Sequence, residues 1–390
     1  MKNNLIHSLA FVLALISLSG CQKEELATEF AESSPQTMRM STTVPVLPAT
    51  PFNYATVTLP TYLNTPPIRN QINTPANNPI TDQGAALGRV LFYDKNLSFN
   101  NTTSCASCHH QSNSFSDTLR FSKGFAGGLT TRNSMSLLNA RYYPNGRFFW
   151  DERAASAEIQ ASRPIVHTVE MGMSMPGAVA KLKTLGYYPG LFQNAYGTTT
   201  IDSAGIAKAL AQFIRSMVSY RTKYDIGRAA LTNNQTPENT DFTNFTALEN
   251  QGKQLFFTRG NCGTCHGTET FTAPEARNNG LDLVSTDNGV GAVTGNRNAN
   301  ALFKVPSLRG IEKSAPYMHD GRFATLEQVV EHYNSQVKPH VNLSRQLRDP
   351  NGQPRRLNLT AEQKNALVAF LKTLTDTGIA TDPKFSDPFK

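Results

Sequence analysis

The chain has 390 residues, of which 39% are hydrophobic, and its formal net charge at pH 7 is +8. This length allows two or more compact domains, and the hydrophobic content excludes a mainly disordered chain. The basic residues are scattered rather than gathered in one run, which favours a solvated surface or docking of an acidic protein over binding of nucleic acid.

Residues 1–21 have the pattern of a secretory signal. An early lysine is followed by an apolar run from Leu9 to Leu18 and then by small residues, a stretch too short to span a membrane. The signal ends in "LSGC", which resembles the processing box of bacterial lipoproteins. We therefore predict a lipid anchor on Cys21, which would hold the protein to a membrane surface in the periplasm or on the outside of the cell. An ordinary signal peptide is the alternative.

Residues 22–80 are rich in Thr, Pro and Asn and lack a helical period, so we predict a tether that continues as an extended wrap over the folded body. After this segment, apolar residues recur at helical spacing in "DSAGIAKALAQFIRSMVSYRTKY" and "LTAEQKNALVAFLKTL". Strand-like alternation is scarce. The sequence predicts an all-α body with long loops.

An internal repeat divides this body. "GRVLFYDKNLSFNNTTSCASCH" is echoed by "GKQLFFTRGNCGTCH", and Ser-Leu, Asp-x-Arg and Glu recur in the same order downstream of each. Such self-similarity indicates duplication of a structural unit. We predict two similar domains, at residues 81–235 and 236–390, that meet in the polar stretch "LTNNQTPENT".

Two C-x-x-C-H motifs contain four of the five cysteines. Two thiols one turn apart can each bond a vinyl group of one haem, while the adjoining histidine ligates the iron. Both copies occupy the same place in the repeat of an exported chain, which favours two covalently bound haem c groups. Zinc, two local disulfides and a thioredoxin-like site are the alternatives. The motif residues are Cys105, Cys108 and His109, then Cys262, Cys265 and His266.

Longer motifs resemble the bacterial di-haem cytochrome c peroxidase/MauG superfamily. They are "RNSMSLLNARYYPNGRFFWDERAASAEIQASRPIVHTVEMG", "FKVPSLRG" and "APYMHDGRFATLEQVV", and the resemblance covers roughly residues 81 to 375. It implies two cytochrome c-like domains. The first, on His109, would be peroxidatic, and the second, on His266, would transfer electrons.

The resemblance also implies roles for single residues. Gln160, Pro164 and Glu170 match distal-pocket positions, with Glu170 as the acid/base that moves a proton between the peroxide oxygens. Trp150, the only tryptophan, matches the residue between the two haems. From the residues alone, a surface helix cap for Glu170 and a core position for Trp150 are the favoured interpretations, and the surrounding motifs reverse that preference.

Calcium between the domains is a further implication. Asn133, Ser314 and Pro316 match the calcium-binding positions of the superfamily, and Ser314 stands where threonine is common. The resemblance therefore predicts a calcium ion that locks the domain interface.

Two positions depart from many family peroxidases. Phe125 replaces a histidine that caps the first iron, so we expect that iron to be open or water-bound without reductive activation. Fourteen residues after His319, Tyr333 replaces a methionine as it does in MauG. We predict Tyr333 as the second iron's ligand. Met318 and His332 are the rivals.

Three functions follow as hypotheses. The leading one is a peroxidase that reduces hydrogen peroxide to water with electrons from a small periplasmic donor, a cytochrome c or a cupredoxin. The second is a MauG-like oxidase that holds high-valent irons and oxidises a partner protein at a distance. The third is a plain electron-transfer cytochrome, which would need both irons to be six-coordinate.

Overall fold

Short helices separated by long loops build the protein, whose computed structural model describes residues 43–232 and 234–390. Over these residues β-pairing is limited to isolated bridges, which confirms the prediction of an all-α fold with long loops. The predicted signal, Cys21 and the first part of the predicted tether lie outside the described residues. In the described ranges no helix is long and apolar enough to span a membrane.

The α-helices are, in chain order, α1 (Pro66–Arg69), α2 (Asp82–Tyr93), α3 (Ala157–Val166), α4 (Met175–Thr184), α5 (Tyr188–Tyr196), α6 (Ser203–Ser216), α7 (Lys223–Ala229), α8 (Ala247–Phe257), α9 (Val290–Thr294), α10 (Leu326–Glu331) and α11 (Ala361–Lys372).

The repeated glycine of Gly-basic-x-Leu-Phe forms the same helix crossing in each half. A Cβ added to Gly88 of α2 would lie 2.0 Å from the carbonyl oxygen of Ala209 in α6. A Cβ added to Gly252 of α8 would lie 1.8 Å from the carbonyl oxygen of Ala366 in α11. Backbones this close leave no room for a side chain, so the repeated glycine is a packing requirement.

The repeated phenylalanine lies one helical turn after that glycine and enters the core at the same crossing. Phe92 packs against Phe213 with ring centroids 5.4 Å apart, and Phe256 packs against Phe370 at 5.1 Å. All four rings are buried. The sequence repeat therefore corresponds to a repeated pair of crossed helices.

Each crossing is the centre of one apolar cluster. Each cluster also contains residues from the other side of the predicted boundary at residues 235–236. Tyr224 of α7 belongs to the second cluster, although it precedes that boundary. Ile379 and Phe385, near the C-terminus, belong to the first. The polar stretch "LTNNQTPENT" predicts an exposed segment, but it does not predict which of the two cores the apolar residues on either side of it pack into.

The predicted wrap contains two short helical turns that its composition did not predict. Thr61–Asn64 is a 3₁₀ turn, and α1 begins with two prolines in its first turn. Proline is tolerated there because the first N–H groups of a helix have no partner within it. The many prolines of the segment therefore do not exclude helix.

A buried ion pair attaches the wrap to the second half. Both guanidinium nitrogens Nη1 and Nη2 of Arg309 donate to Asp225, at 2.9 and 3.0 Å, and both side chains are almost fully buried. The hydroxyl of Tyr62 donates to the same carboxylate at 2.7 Å. Arg309 also donates to the backbone carbonyl of Glu269. Every charge in this group is paired, as burial requires.

The glycine at the second crossing provides a direct test of the packing. We expect Gly252→Ala to lower the free energy of unfolding by about 1–3 kcal/mol, because the helices must separate to admit a methyl group. The matched control is Gly190→Ala in α5, where an added Cβ meets nothing within 4 Å. That change should stabilise the protein by about 0.4–1 kcal/mol. Thermal unfolding of the haem-loaded proteins, followed by circular dichroism, measures both, and equal melting temperatures would contradict the account.

Candidate functional site

The first C-x-x-C-H motif is a tight turn whose histidine is held by a backbone carbonyl. Cys105–Ser107 form a 3₁₀ turn, and the backbone N–H of His109 donates to the carbonyl of Cys105 at 3.0 Å. Nδ1 of His109 lies 2.8 Å from the carbonyl oxygen of Phe115. Because a carbonyl only accepts, Nδ1 carries the proton and Nε2 keeps the lone pair that a metal requires.

The second motif repeats this arrangement. Cys262–Thr264 form the turn, and Nδ1 of His266 lies 3.0 Å from the carbonyl oxygen of Phe271. Burial lowers the pKa of His266 to about 4 and also lowers the pKa of His109. Both imidazoles are therefore neutral at pH 7, with Nε2 as the available electron-pair donor.

The two accepting carbonyls share an uncommon backbone conformation. Phe115 has φ of +55° and Phe271 has φ of +52°, which turns each carbonyl towards the imidazole. The backbone N–H groups of Leu137 and Leu308 donate to the same two oxygens, at 3.2 and 3.3 Å. These leucines are the second residues of the repeated Ser-Leu pairs.

The serines of those pairs fix the peptide just before each phenylalanine. Oγ of Ser136 donates to the carbonyl of Ser114 at 2.6 Å. Oγ of Ser307 donates to the carbonyl of Thr270 at 2.7 Å. The Ser-Leu repeat in the sequence is thus the element that shapes the carbonyl beside each motif histidine.

Both motifs fit a covalently attached haem. Their four cysteines are free thiols, and burial raises the pKa of Cys105 and of Cys262 to about 12. Within residues 43–232 and 234–390 no group of three or more His, Cys, Asp or Glu could hold a metal ion by itself. Protonated thiols one turn apart, next to an imidazole with an available Nε2, are the donor set that haem c attachment uses.

A large cavity opens on the second motif and brings two of the three rival ligands together. Met318 and Tyr333 both line this cavity, as does His266. Nδ2 of Asn279 donates to Sδ of Met318 at 3.4 Å and to Oη of Tyr333 at 3.5 Å. Burial raises the pKa of Tyr333 to about 12. One amide therefore lies between the two candidate ligands.

The third rival, His332, is held by other contacts. Its Nε2 lies 3.0 Å from the carbonyl oxygen of Asn279, and its ring packs 5.6 Å from that of Phe323. The side chain is only 2% exposed. Residues His332–Gln336 form a π-helical turn, a wider turn that is common at functional sites. In this turn His332 contacts Asn279 and Phe323, whereas the adjacent Tyr333 lines the cavity.

Trp150 comes from the first half of the chain and lines the cavity of the second motif. Its Nε1 donates to the carbonyl of Asn133 at 2.8 Å. The edge of its ring faces His319 at 6.4 Å, and His319 stacks on Phe303 at 3.7 Å. The indole is therefore a fixed aromatic group at the junction of the two halves.

The three predicted calcium residues lie around the same cavity. Asn133 is buried, and its Nδ2 donates to the carbonyls of Leu119 and Arg120, both at 3.2 Å. Oγ of Ser314 donates to the carbonyl of Ile311 at 3.3 Å. Pro316 follows two residues later in the chain and also lines the cavity.

Glu170 lies in the loop after α3, the helix that carries Gln160 and Pro164 one turn apart. Its side chain is 28% exposed, and Oε1 is 3.4 Å from Nδ1 of His167. Burial raises the pKa of Glu170. Burial is the main cause that raises the pKa values of the two first-motif cysteines, and nearby negative charges, including that of Glu170, raise them further. Glu170 is therefore one of the charged groups that act on the first motif.

Phe125 is packed into the loop that carries Glu170. Its backbone N–H donates to the carbonyl of Glu170 at 2.9 Å. A Cβ added to Gly172, which has φ of +63°, would lie 2.3 Å from the Phe125 ring. Phe99 packs on the same ring at 5.9 Å. Phe125, at the position where many family peroxidases have a histidine ligand, is therefore an apolar side chain packed into this loop.

Sequence reasoning did not identify several residues that shape these sites. Asn279 belongs to no recognisable motif. Phe115 and Phe271 could have been identified from the sequence, because a phenylalanine follows each motif histidine by five or six residues. Arg132 joins the two halves, since it pairs with Asp151 at 2.6 Å and with Asp287 at 2.7 Å. Such long-range pairs have no local pattern.

Comparison with known proteins gives two sequence-family matches and similar full-length relatives. Residues 82–232 match the family described as di-haem cytochrome c peroxidase, and residues 250–375 match the family described as cytochrome c. The methylamine utilization protein MauG of Methylorubrum extorquens is 36% identical over 306 residues, which cover 77% of this chain and 80% of that protein. Cytochrome c551 peroxidase of Nitrosomonas europaea is 31% identical over 295 residues, which cover 75% and 79%.

A solved structure shares the fold. The crystal structure of a MauG-like protein associated with microbial copper homeostasis superposes with a TM-score of 0.72 at 30% identity, and covers 82% of this chain and 97% of that one. Together with the two family matches, this confirms the prediction of two cytochrome c-type regions. The chain belongs to the di-haem cytochrome c peroxidase/MauG family of oxidoreductases, which contain two c-type haems.

Proposed function

We propose that the protein reduces hydrogen peroxide to water with electrons from a small donor protein, a cytochrome c or a cupredoxin. The observation that carries this proposal is the half-buried Glu170 carboxylate, whose pKa is raised by burial and whose charge acts on both cysteines of the first C-x-x-C-H motif. A haem on Cys105, Cys108 and His109 would supply the iron at which the O–O bond breaks. Each peroxide takes up two electrons and two protons and leaves as two waters.

Glu170 acts as the proton carrier in this proposal. Its carboxylate would accept a proton from one peroxide oxygen and donate it to the other, which would then leave as water. The partial exposure of Glu170 allows proton exchange with solvent. Gln160 and Pro164, one turn apart on α3, would form the wall that orients the peroxide beside this carboxylate.

Electrons would enter through a haem on Cys262, Cys265 and His266 and pass to the first site by way of Trp150. Two observations support Trp150 in this role. It lines the cavity of the second motif, and its indole N–H is fixed on the carbonyl of Asn133 in the first half. A held aromatic ring between two redox groups shortens the distance that an electron must cross.

We propose that Tyr333 would be the second protein ligand of this iron besides His266, with Met318 as the alternative. Both side chains line the cavity, and Asn279 contacts both. With its pKa raised to about 12, Tyr333 is a neutral phenol at pH 7 without metal. Ligation to ferric iron would replace that proton. Such binding would therefore strengthen as the pH rises.

Tyr333 also favours a second candidate function, oxidation of a partner protein. An anionic phenolate stabilises oxidised iron, whereas a thioether raises the reduction potential and suits the entry of electrons from a carrier. A tyrosinate-ligated second iron would therefore be harder for a carrier to reduce, and would stay oxidised long enough to react with a partner protein.

Calcium and a membrane anchor complete the proposal. Asn133, Ser314 and Pro316 lie around the cavity that Trp150 also lines, and oxygen atoms of such residues are the ligands that calcium prefers. We further propose that Cys21 is lipidated and that the protein is held at a membrane surface in the periplasm or on the outside of the cell. The "LSGC" sequence supports this location.

The role of Glu170 can be tested by Glu170→Gln, which retains the shape of the side chain and removes the base. We expect kcat/KM for hydrogen peroxide to fall by about 10²–10⁴-fold. Glu362→Gln, at an exposed position in α11, is the matched control and should leave kcat/KM unchanged. Equal kcat/KM values for Glu170→Gln and the unmodified protein would remove Glu170 from the mechanism.

The pH dependence gives an independent test of the same residue. Glu170 is active as the carboxylate, and burial raises its pKa above that of an ordinary glutamate. The rate should therefore fall on the acid side, beginning at a higher pH than an ordinary glutamate would give. Steady-state kcat/KM measured from acid to neutral pH should show this fall in the unmodified protein and lack it in Glu170→Gln.

The two candidate ligands can be separated by Tyr333→Phe and Met318→Leu. We expect Tyr333→Phe to change the absorption and EPR spectra of the second haem, because phenylalanine cannot ligate iron, and Met318→Leu to leave them unchanged. The reverse pattern would assign Met318 as the ligand. Each variant is the control for the other, since Asn279 contacts both side chains.

A further inference from the structure

The C-terminal segment 379–389 returns from the second half and packs beside the first motif. Phe385 is 4% exposed, and its ring lies 6.2 Å from that of Phe115 and 6.1 Å from that of Phe213. Phe115 is the residue whose carbonyl holds Nδ1 of His109. The last turn of the chain therefore contacts the residue that orients the first motif histidine.

Hydrogen bonds from α2 and from Gln111 fix this segment on the first half. Tyr93 and Arg89 of α2 donate to two of its backbone carbonyls, each at 2.6 Å. The side-chain amide of Gln111 donates to two more, each at 2.9 Å. Arg89 is 5% exposed, so its bond is protected from water. Gln111 follows His109 by two residues, which joins the segment to the motif itself.

The N-terminal wrap makes the corresponding contact in the other half. The hydroxyl of Thr270 donates to Oε1 of Gln71 at 2.7 Å, and Nε2 of Gln71 donates to the hydroxyl of Thr268 at 3.3 Å. Thr270 is fully buried. It precedes Phe271, the residue whose carbonyl holds Nδ1 of His266. Gln71 therefore contacts the peptide turn that orients the second motif histidine.

A second contact of the wrap reaches the same turn. Tyr62 donates to Asp225, which pairs with Arg309, and Arg309 donates to the carbonyl of Glu269. Glu269 is the residue just before Thr270. The wrap is thus connected to the turn through a side-chain hydrogen bond and through a buried ion pair.

We propose that each of these two segments positions the motif histidine of the opposite half, and that the reduction potentials of the two haems are therefore set separately. Residues 379–389, the C-terminal brace, hold His109 through Phe115. Residues 61–73, the N-terminal brace, hold His266 through the turn before Phe271. The inference rests on the haem ligation in the proposed function. A hydrogen bond from Nδ1–H makes the imidazole a stronger donor and stabilises ferric iron, so a displaced carbonyl raises the potential.

Two conservative variants test the braces in the haem-loaded protein. Phe385→Leu keeps an apolar side chain and removes the aromatic contact with Phe115. Gln71→Leu removes the acceptor of the Thr270 hydroxyl. Midpoint potentials of both haems are measured by spectroelectrochemical titration. The iron–histidine stretching band of the reduced first haem, measured by resonance Raman, reports the strength of the Nδ1 hydrogen bond directly.

We expect Phe385→Leu to raise the potential of the first haem, to lower its iron–histidine stretching frequency and to leave the second haem unchanged. Gln71→Leu should raise the potential of the second haem alone. The proposed role of the braces would be overturned if neither variant changed a midpoint potential, or if either variant shifted the midpoint potentials of both haems equally. The proposed function would remain intact in both cases. An unmodified protein without two histidine-ligated haems would instead overturn the proposed function itself.

Discussion

The hydrogen bond between each motif imidazole and the carbonyl of a phenylalanine is the interaction on which the rest of the structure depends. It fixes Nδ1 as the protonated nitrogen, at 2.8 Å in the first half and 3.0 Å in the second, and so leaves Nε2 as the electron-pair donor for an iron. The bond requires a bulky residue at positive φ, which costs of order 1–3 kcal/mol and persists only where neighbouring groups hold it. The repeated Ser-Leu pair supplies those groups in both halves, and the N-terminal and C-terminal braces contact the same turns.

The two halves share this proximal geometry and differ on the side where chemistry would occur. The first half presents Glu170 in a loop that Phe125 packs against. The second half presents Met318 and Tyr333 around one amide, that of Asn279. In the proposed function this difference corresponds to a first site that moves protons and a second site that offers further protein ligands to its iron. Trp150 then has a position suited to joining the two.

The sequence was sufficient for features with a short period or a fixed spacing. The C-x-x-C-H motifs, the all-α class and the repeat could be predicted because each depends on residues within one or two turns of each other. Tyr333 was predicted as the ligand, but the π-helical turn that contains it and His332 was not. The exchange of Tyr224 and Phe385 between the two cores, and the contact of Asn279 with both candidate ligands, could not be predicted either. These contacts join residues far apart in sequence, and no local pattern encodes them.

The central claim is that the first site is open in the fully oxidised protein and reacts with peroxide without prior reduction. Stopped-flow spectroscopy of the oxidised, haem-loaded protein mixed with hydrogen peroxide tests it most directly, followed by the same mixing with a reduced cytochrome c donor present. The account predicts an immediate spectral change and rapid oxidation of the donor. An unchanged spectrum in the oxidised protein, with donor oxidation only after prereduction of the second haem, would show that the first iron is capped and would contradict the account.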